Sequence, residues 1–192
     1  MPGFPALHPV PRVVLDSNVW IDILVFDDPH TRPIAAALAQ GQLDAIIDAR
    51  CLAELTRVLD YPQFARFAVN KEAALAQVGG WTTMIPPLDV PQDGSNQLDT
   101  PQAARMLTGP PDAPGTHPIF TPLRPLPKCR DRDDQKFLEL AQRAGAAWLV
   151  SKDRELLRMA KRIARDFGFS IGLPDAFTAS FPTSITTSPT AL

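Results

Sequence analysis

Short apolar runs divide the chain, and stretches with helical spacing lie between them. Val13–Leu15, Ala45–Ile47 and Ala147–Val150 are apolar without alternation, and Thr82–Ile85 and Phe169–Leu173 are two further candidate strands. Runs without alternation predict strands that are covered on both faces, as in a parallel sheet flanked by helices. The alternation of such strands with helices predicts an α/β fold with right-handed crossovers, in which the last run is an edge strand.

Apolar residues at helical spacing predict the helices that connect these strands. One helix starts at Pro33, a second follows Asp48 as its N-cap, a third starts near Asp134 and a fourth follows Asp153. A further helical region is expected over residues 64–78. Each of these helices lies between two predicted strands, which is the order that a parallel sheet requires.

The chain departs from this regular pattern in one internal segment and at both ends. Nine of the 21 prolines fall within residues 91–128. Because so long a segment without periodicity is unusual inside a compact domain, it is interpreted as a proline-rich insertion. Residues 1–11 are predicted to be a flexible N-terminal arm and residues 178–192 a flexible tail, which leaves one domain over residues 12–177.

Composition sets limits on what the protein binds and where it works. The 192 residues are 45% apolar and 21% charged, as in an ordinary globular domain, and the net charge of −2 gives no overall attraction to nucleic acid. Cys51 and Cys129 lie far apart and form no metal-binding or disulfide spacing. With no signal peptide and no long apolar span, the expectation is a cytoplasmic protein that does not enter a membrane.

Four acids occupy positions at which a parallel sheet would bring them together. Asp16 and Asp153 both follow strand ends, Asp134 starts a helix, and Glu54 borders the apolar stripe of another. Carboxylates that meet at one point repel each other unless a cation lies between them. Oxygen ligands favour a hard cation such as Mg²⁺ or Mn²⁺, which can activate water and stabilise the leaving oxygen of a phosphodiester. The pattern therefore indicates metal-assisted hydrolysis at phosphorus.

Each of these signals also has a purely structural interpretation. Asp16 is placed to cap the next helix, and Glu54 is equally typical of a half-solvated helix edge. The basic residues of the last predicted helix, beginning with Arg154 and Arg158, fit either a track for an RNA backbone or an ordinary solvated face. These alternatives remain open for each residue taken alone.

Four segments together resemble the successive motifs of the PIN-domain ribonucleases. In chain order they are Val13–Asn18, Leu52–Leu59, Arg130–Ala141 and Leu149–Leu156. The resemblance is to the branch described as toxin components of bacterial toxin–antitoxin pairs, and it covers about residues 12–177. It implies a three-layer α/β/α sandwich around a mostly parallel sheet of four to five strands. It also implies a Mg²⁺- or Mn²⁺-dependent endoribonuclease, a homodimer, and a small antitoxin protein as partner.

The resemblance also assigns residues. It matches the four catalytic and metal-binding acids of the family to Asp16, Glu54, Asp134 and Asp153, and two supporting polar positions to Asn18 and Ser151. Asp131 is a candidate outer acid, and Asp133 is expected to cap the helix that follows. Lys152 departs from the family, which usually has a small residue there, so Lys152 is a candidate RNA contact together with Arg154 and Arg158.

Three other functional classes compete with this interpretation. The first is a PIN-like module that binds RNA or a partner with little or no catalysis. The second is a phosphatase of the haloacid-dehalogenase type, which needs an acid two residues after its nucleophilic aspartate, where this chain has Asn18. The third is a receiver domain, which requires an acidic pair before its first strand. The sequence thus favours the nuclease over the last two classes and leaves the binding module open.

Overall fold

A computed structural model describes residues 10–86 and 124–180 of the chain. The strands are β1 (Arg12–Leu15), β2 (Asp44–Ile47), β3 (Thr82–Met84), β4 (Trp148–Val150) and β5 (Ser170–Gly172). The helices are α1 (Ser17–Ile21), α2 (Arg32–Ala39), α3 (Ala49–Leu59), α4 (Lys71–Trp81), α5 (Gln135–Ala144), α6 (Arg154–Phe167) and α7 (Pro174–Ser180). A π-helical turn (Asp22–Phe26) follows α1, and a 3₁₀ helix (Pro62–Phe67) precedes α4.

The strands form one sheet in the order β3-β2-β1-β4-β5, and every neighbouring pair is parallel. This arrangement confirms the predicted α/β class. From β1 the chain moves to β2 on one side, whereas from β4 it moves to β5 on the other side. The crevice beyond the carboxyl ends of β1 and β4 is therefore the point at which the winding direction reverses. Open parallel sheets bind ligands at such a point.

The core consists of the central strands and the helices that cover them. Val13 and Val14 point to opposite faces of the sheet because side chains alternate along a strand, yet neither is exposed. Both faces of β1 are therefore covered, as the absence of alternation predicted. Helix α5 contributes Leu138 and other fully buried side chains to this core.

Truncation of Leu138 to alanine tests how much this core stabilises the fold. Because Leu138 is fully buried, we expect Leu138→Ala to lower the free energy of unfolding by about 2–5 kcal/mol. The same substitution at Leu173, which is 45% exposed, should change it by less than about 1 kcal/mol. Denaturant unfolding of both variants measures the difference, and equal losses would contradict the assignment of Leu138 to the core.

Two helical segments had no counterpart among the predicted helices. The chain continues from Asp16 directly into α1 and the π-helical turn, which ends at Asp27 with a positive φ of 48°. The apolar residues over 19–26 are almost continuous, so they show no helical period. Helix α7 extends to Ser180, so residues 178–180 form its last turn.

The predicted arm and insertion, and the predicted tail beyond Ser180, fall wholly or largely outside the described residues, and these predictions are not tested there. Cys51 and Cys129 are both buried, and neither forms a disulfide bond.

Within residues 10–86 and 124–180, no helix has the length and apolar character needed to cross a membrane.

Candidate active site

Asp16 lies at the crevice between the carboxyl ends of β1 and β4, and it is almost fully buried at 4% exposure. Its Oδ2 atom accepts hydrogen bonds from Asn18 Nδ2 at 2.6 Å and from Ser151 Oγ at 2.5 Å. The backbone N–H of Asp16 donates to the Val150 carbonyl at 3.0 Å. Asn18 and Ser151, the two predicted supporting residues, thus both donate hydrogen bonds to this carboxylate.

Burial raises the pKa of Asp16 to about 6, because the charged form loses its hydration. The hydrogen bonds from Ser151 and Asn18 lower the pKa and oppose this effect, while the negative charge of Glu54 adds to it. Asp16 is consequently a carboxylate whose ionised form is costly without a positive partner.

Ser151 and Asn18 also fix the loop between β4 and α6. Ser151 Oγ accepts the backbone N–H of Asp153 at 2.9 Å, and Asn18 Oδ1 accepts that of Lys152 at 3.2 Å. The polar residues after β1 and β4 therefore form one connected network. This network places Asp153 beside Asp16 at the same edge of the sheet.

Asp153 has a structural role as well, because its side chain caps α6. Its Oδ1 atom accepts the backbone N–H groups of Glu155 at 2.6 Å and Leu156 at 3.3 Å. A capping aspartate can be replaced by asparagine, which keeps the acceptor oxygen and removes the charge.

We expect Asp153→Asn to leave the melting temperature unchanged or to raise it, because the cap stays and a like charge is removed. Asp153→Ala loses the cap as well and should cost about 1 kcal/mol of stability. Thermal unfolding of the two variants separates these effects. If Asp153→Asn unfolds as readily as Asp153→Ala, the charge of Asp153 serves the fold.

Asp134 occupies the N-cap position of α5, but its side chain makes no capping hydrogen bond. Its pKa is raised to about 7, mainly by burial and then, in decreasing order of size, by the charges of Asp16, Asp153, Asp131 and Glu54. Its Oδ2 atom is buried and has no hydrogen-bond partner among the described residues. The four predicted acids therefore share one electrostatic environment, centred on a carboxylate with an unused oxygen.

Glu54 faces this group from α3, and its carboxylate forms an ion pair with Lys136 of α5. Both side chains are mostly buried, with exposures of 16% for Glu54 and 15% for Lys136. Lys136 was not among the predicted site residues. Around this position the sequence shows only a basic residue next to Phe137, which is buried in the structure. This pattern does not indicate that the lysine has a partner on another helix.

The donor chemistry of the site fits a hard divalent cation. The ligand atoms offered are carboxylate oxygens, and the buried unpartnered oxygen of Asp134 is an acceptor that a cation would satisfy. As the side chains stand, no group of three or more carboxylate, histidine or cysteine side chains in the described part of the chain is arranged to hold a metal ion. Three of the four carboxylates have other partners, since Asp16 accepts hydrogen bonds from Asn18 and Ser151, Glu54 contacts Lys136 and Asp153 caps α6.

Comparison with known protein families decides the identity of the fold. The family described as the PIN domain matches residues 12–155, which include all four acids. The chain belongs to the PIN-domain family. A search of curated proteins finds no match. PIN domains are typically metal-dependent nucleases, so the chain belongs to a nuclease family whose fold it shares.

Two further acids lie just before α5 of this PIN domain. Asp131 Oδ1 accepts the backbone N–H of Asp133 at 2.9 Å, and the charge of Asp131 contributes to the raised pKa of Asp134. Asp131 is thus close enough to influence the site. The expectation that Asp133 caps the helix is wrong, because α5 begins directly after Asp134.

Lys152 contacts a residue that the sequence did not single out. Its Nζ atom lies 2.5 Å from Oδ2 of Asp22, a buried acid at the start of the π-helical turn. The PIN domain therefore contains a second pairing of a lysine with a buried carboxylate, next to Asp153 in sequence. In the sequence, the only indication that Asp22 is buried is its place in a nearly continuous apolar stretch, directly after the buried Ile21.

The basic residues of α6 are partly neutralised by acids on the same helix. Arg158 pairs with Glu155 at 2.5 Å, and Arg165 pairs with Asp166 at 2.8 Å. Arg154 begins the helix directly after Asp153 and is exposed. Contact with RNA by Lys152, Arg154 and Arg158 remains a prediction.

Proposed function

We propose that this PIN domain is a Mg²⁺- or Mn²⁺-dependent endoribonuclease that hydrolyses RNA phosphodiester bonds. The observation that carries the proposal is the buried, unpartnered carboxylate oxygen of Asp134, in a site where the charges of Asp16, Asp153, Asp131 and Glu54 all act on that residue. Such mutual repulsion is costly to a folded protein unless a bound cation relieves it. Because the chain belongs to a nuclease family, the chemistry that we propose for this cation is phosphodiester hydrolysis.

In this mechanism Asp16, Asp134 and Asp153 would hold the cation, and Glu54 would either join them or orient the attacking water. When bound, the ion would supply activation of water and stabilisation of the leaving oxygen. Ser151 and Asn18 fix the Asp16 carboxylate, so that little reorganisation is needed when substrate arrives.

Lys152, Arg154 and Arg158 are the proposed contacts to the RNA phosphates. Lys152 and Arg154 flank Asp153 in sequence, and Arg158 lies one helical turn beyond Arg154. A backbone held along these residues would pass close to the acids. RNA phosphates would compete with the pairs that Lys152 forms with Asp22 and Arg158 with Glu155, and RNA binding by charge-removing variants of the three residues tests this part of the proposal.

The test is cleavage of single-stranded RNA by the full chain with Mn²⁺ or Mg²⁺, compared with the Asp16→Asn variant. The substitution keeps the size of the side chain but removes its charge, so we expect cleavage to fall by about 100-fold or more. EDTA should have the same effect on the wild-type chain. Equal cleavage by both proteins would remove the proposal.

A PIN-like binding module with little or no catalysis is the second candidate. The pairing of Glu54 with Lys136 favours it, because this contact occupies one of the four acids. RNA binding that persists in EDTA, without cleavage in either metal, is the result that this candidate predicts. The cleavage assay therefore distinguishes the two functions.

We further propose that the chain is the toxin of a toxin–antitoxin pair, acting in the cytoplasm as a homodimer with a small antitoxin protein as partner. The support is the resemblance of its four motifs to that branch of the family. Induced expression in bacteria should arrest growth, and the Asp16→Asn variant should not. Normal growth at equal levels of folded protein would contradict the toxin role.

A further inference from the structure

A positive charge already lies within the group of acids. The Lys136 ammonium pairs with the Glu54 carboxylate, and Lys136 comes two residues after Asp134. Both partners are about five-sixths buried, which distinguishes this ion pair from the exposed pairs on the surface of α6. The contact therefore belongs to the site itself.

The ammonium is held by more than one group. Lys136 Nζ donates to the carbonyl oxygen of Asp133 at 2.5 Å, and it lies 5.1 Å from the centre of the Phe137 ring. Three contacts of different kinds fix the end of a side chain that is otherwise flexible. Lys136 consequently has a defined position beside Glu54.

We propose that Lys136 is a built-in counter-ion for Glu54 that a divalent cation must displace, so that this lysine sets the cation concentration at which the site fills. A cation bound by Glu54 would lie beside the ammonium, and the two like charges repel strongly at such a distance. The inference rests on the proposed function, because it takes Glu54 as part of the metal centre.

Lys152 provides a matched control. It is also a lysine next to a motif residue, and its ammonium also pairs with a buried carboxylate, but that carboxylate is Asp22. Removing Lys152 therefore changes the charge of the region by the same amount without freeing Glu54. A comparison of the two lysines separates displacement at Glu54 from a general electrostatic effect.

The experiment is calorimetric titration of the metal-free full chain with Mn²⁺ in the absence of RNA. We expect Lys136→Met to bind Mn²⁺ about tenfold more tightly than the wild type, because no ammonium competes at close range. Lys136→Arg keeps the charge and Lys152→Met keeps the Glu54 pair, so both should stay within about threefold of the wild type. Without metal, Lys136→Met should also melt at a lower temperature, since Glu54 loses its partner.

Unchanged or weaker Mn²⁺ binding by Lys136→Met would overturn the proposal, as would equal tightening by Lys152→Met. If Lys136→Met does not fold, Lys136→Gln is titrated instead, because its amide can still donate to the Asp133 carbonyl. If the wild type binds Mn²⁺ and cleaves RNA while Lys136→Met matches its affinity, only this inference fails. If neither protein binds Mn²⁺, the inference fails and the metal-dependent function fails with it.

Discussion

Asp134→Asn should make the metal-free protein more stable and at the same time remove its metal-dependent activity. Burial and four neighbouring acids raise the pKa of Asp134 to about 7, so its ionised form destabilises the fold near neutral pH. Asparagine has nearly the same shape and no charge. We expect a gain of about 1–2 kcal/mol in the free energy of unfolding at pH 8, after allowance for solvent screening.

The same substitution removes a carboxylate that the proposed mechanism needs. We expect cleavage to fall by about 100-fold or more and the stabilisation by Mn²⁺ to decrease, because the charge that attracts the cation is gone. Denaturant unfolding in EDTA and in Mn²⁺, together with the cleavage assay, measures the three effects. A residue that serves only the fold would lose stability on substitution, so a destabilised variant would count against this role for Asp134.

Asp133→Asn is the matched control, since Asp133 is the neighbouring acid and its charge is not among the causes of the raised pKa of Asp134. Its side chain is exposed, and its hydrogen bonds with Asp131 and Lys136 are made through its backbone atoms. We expect its stability and activity to remain close to those of the wild type. An equal effect of both substitutions would mean that the total charge before α5 matters more than the position of Asp134.

The sheet and its acidic edge were predictable because both follow from local patterns and one rule of topology. The apolar runs at β1, β2 and β4 have no alternating polar residues, which indicated strands covered on both faces. The carboxyl ends of neighbouring parallel strands lie at the same edge of a sheet. Asp16 and Asp153 were therefore expected at the same edge of the sheet, although a proline-rich segment separates them in sequence, and the pairing of β1 with β4 brings them together. The hydrogen bonds of Ser151 with the Asp16 carboxylate and the Asp153 backbone connect the two positions.

The lysines of the site could not be predicted in the same way. Glu54 and Lys136 lie on different helices, and their pairing depends on how α3 and α5 are rotated against each other. Asp22 meets Lys152 only because α1 continues into a π-helical turn, which shows no periodic signal in the sequence. Side-chain pairs of this kind arise from tertiary packing, which neither spacing nor motif order specifies.

The second large effect is that divalent cations should stabilise the protein much more at pH 8 than at pH 5.5. The pKa of Asp16 is about 6 and that of Asp134 about 7, both above the ordinary value of 3.8. Between pH 4 and 7 the folded state therefore binds more protons than the unfolded state, and metal-free stability falls as the pH rises. For Asp16 alone, the difference between its raised pKa and the ordinary value corresponds to about 3 kcal/mol.

A cation binds the ionised carboxylates, so at pH 5.5 it must displace protons that are already absent at pH 8. We expect saturating Mn²⁺ to raise the melting temperature by roughly 5 °C or more at pH 8 and by much less at pH 5.5. Calorimetric melts across this range, with and without EDTA, provide the measurement, and Asp16→Asn should flatten the pH dependence. Equal shifts at both pH values would mean that the cation binds elsewhere, because a cation held by Asp16 and Asp134 must displace their protons at pH 5.5.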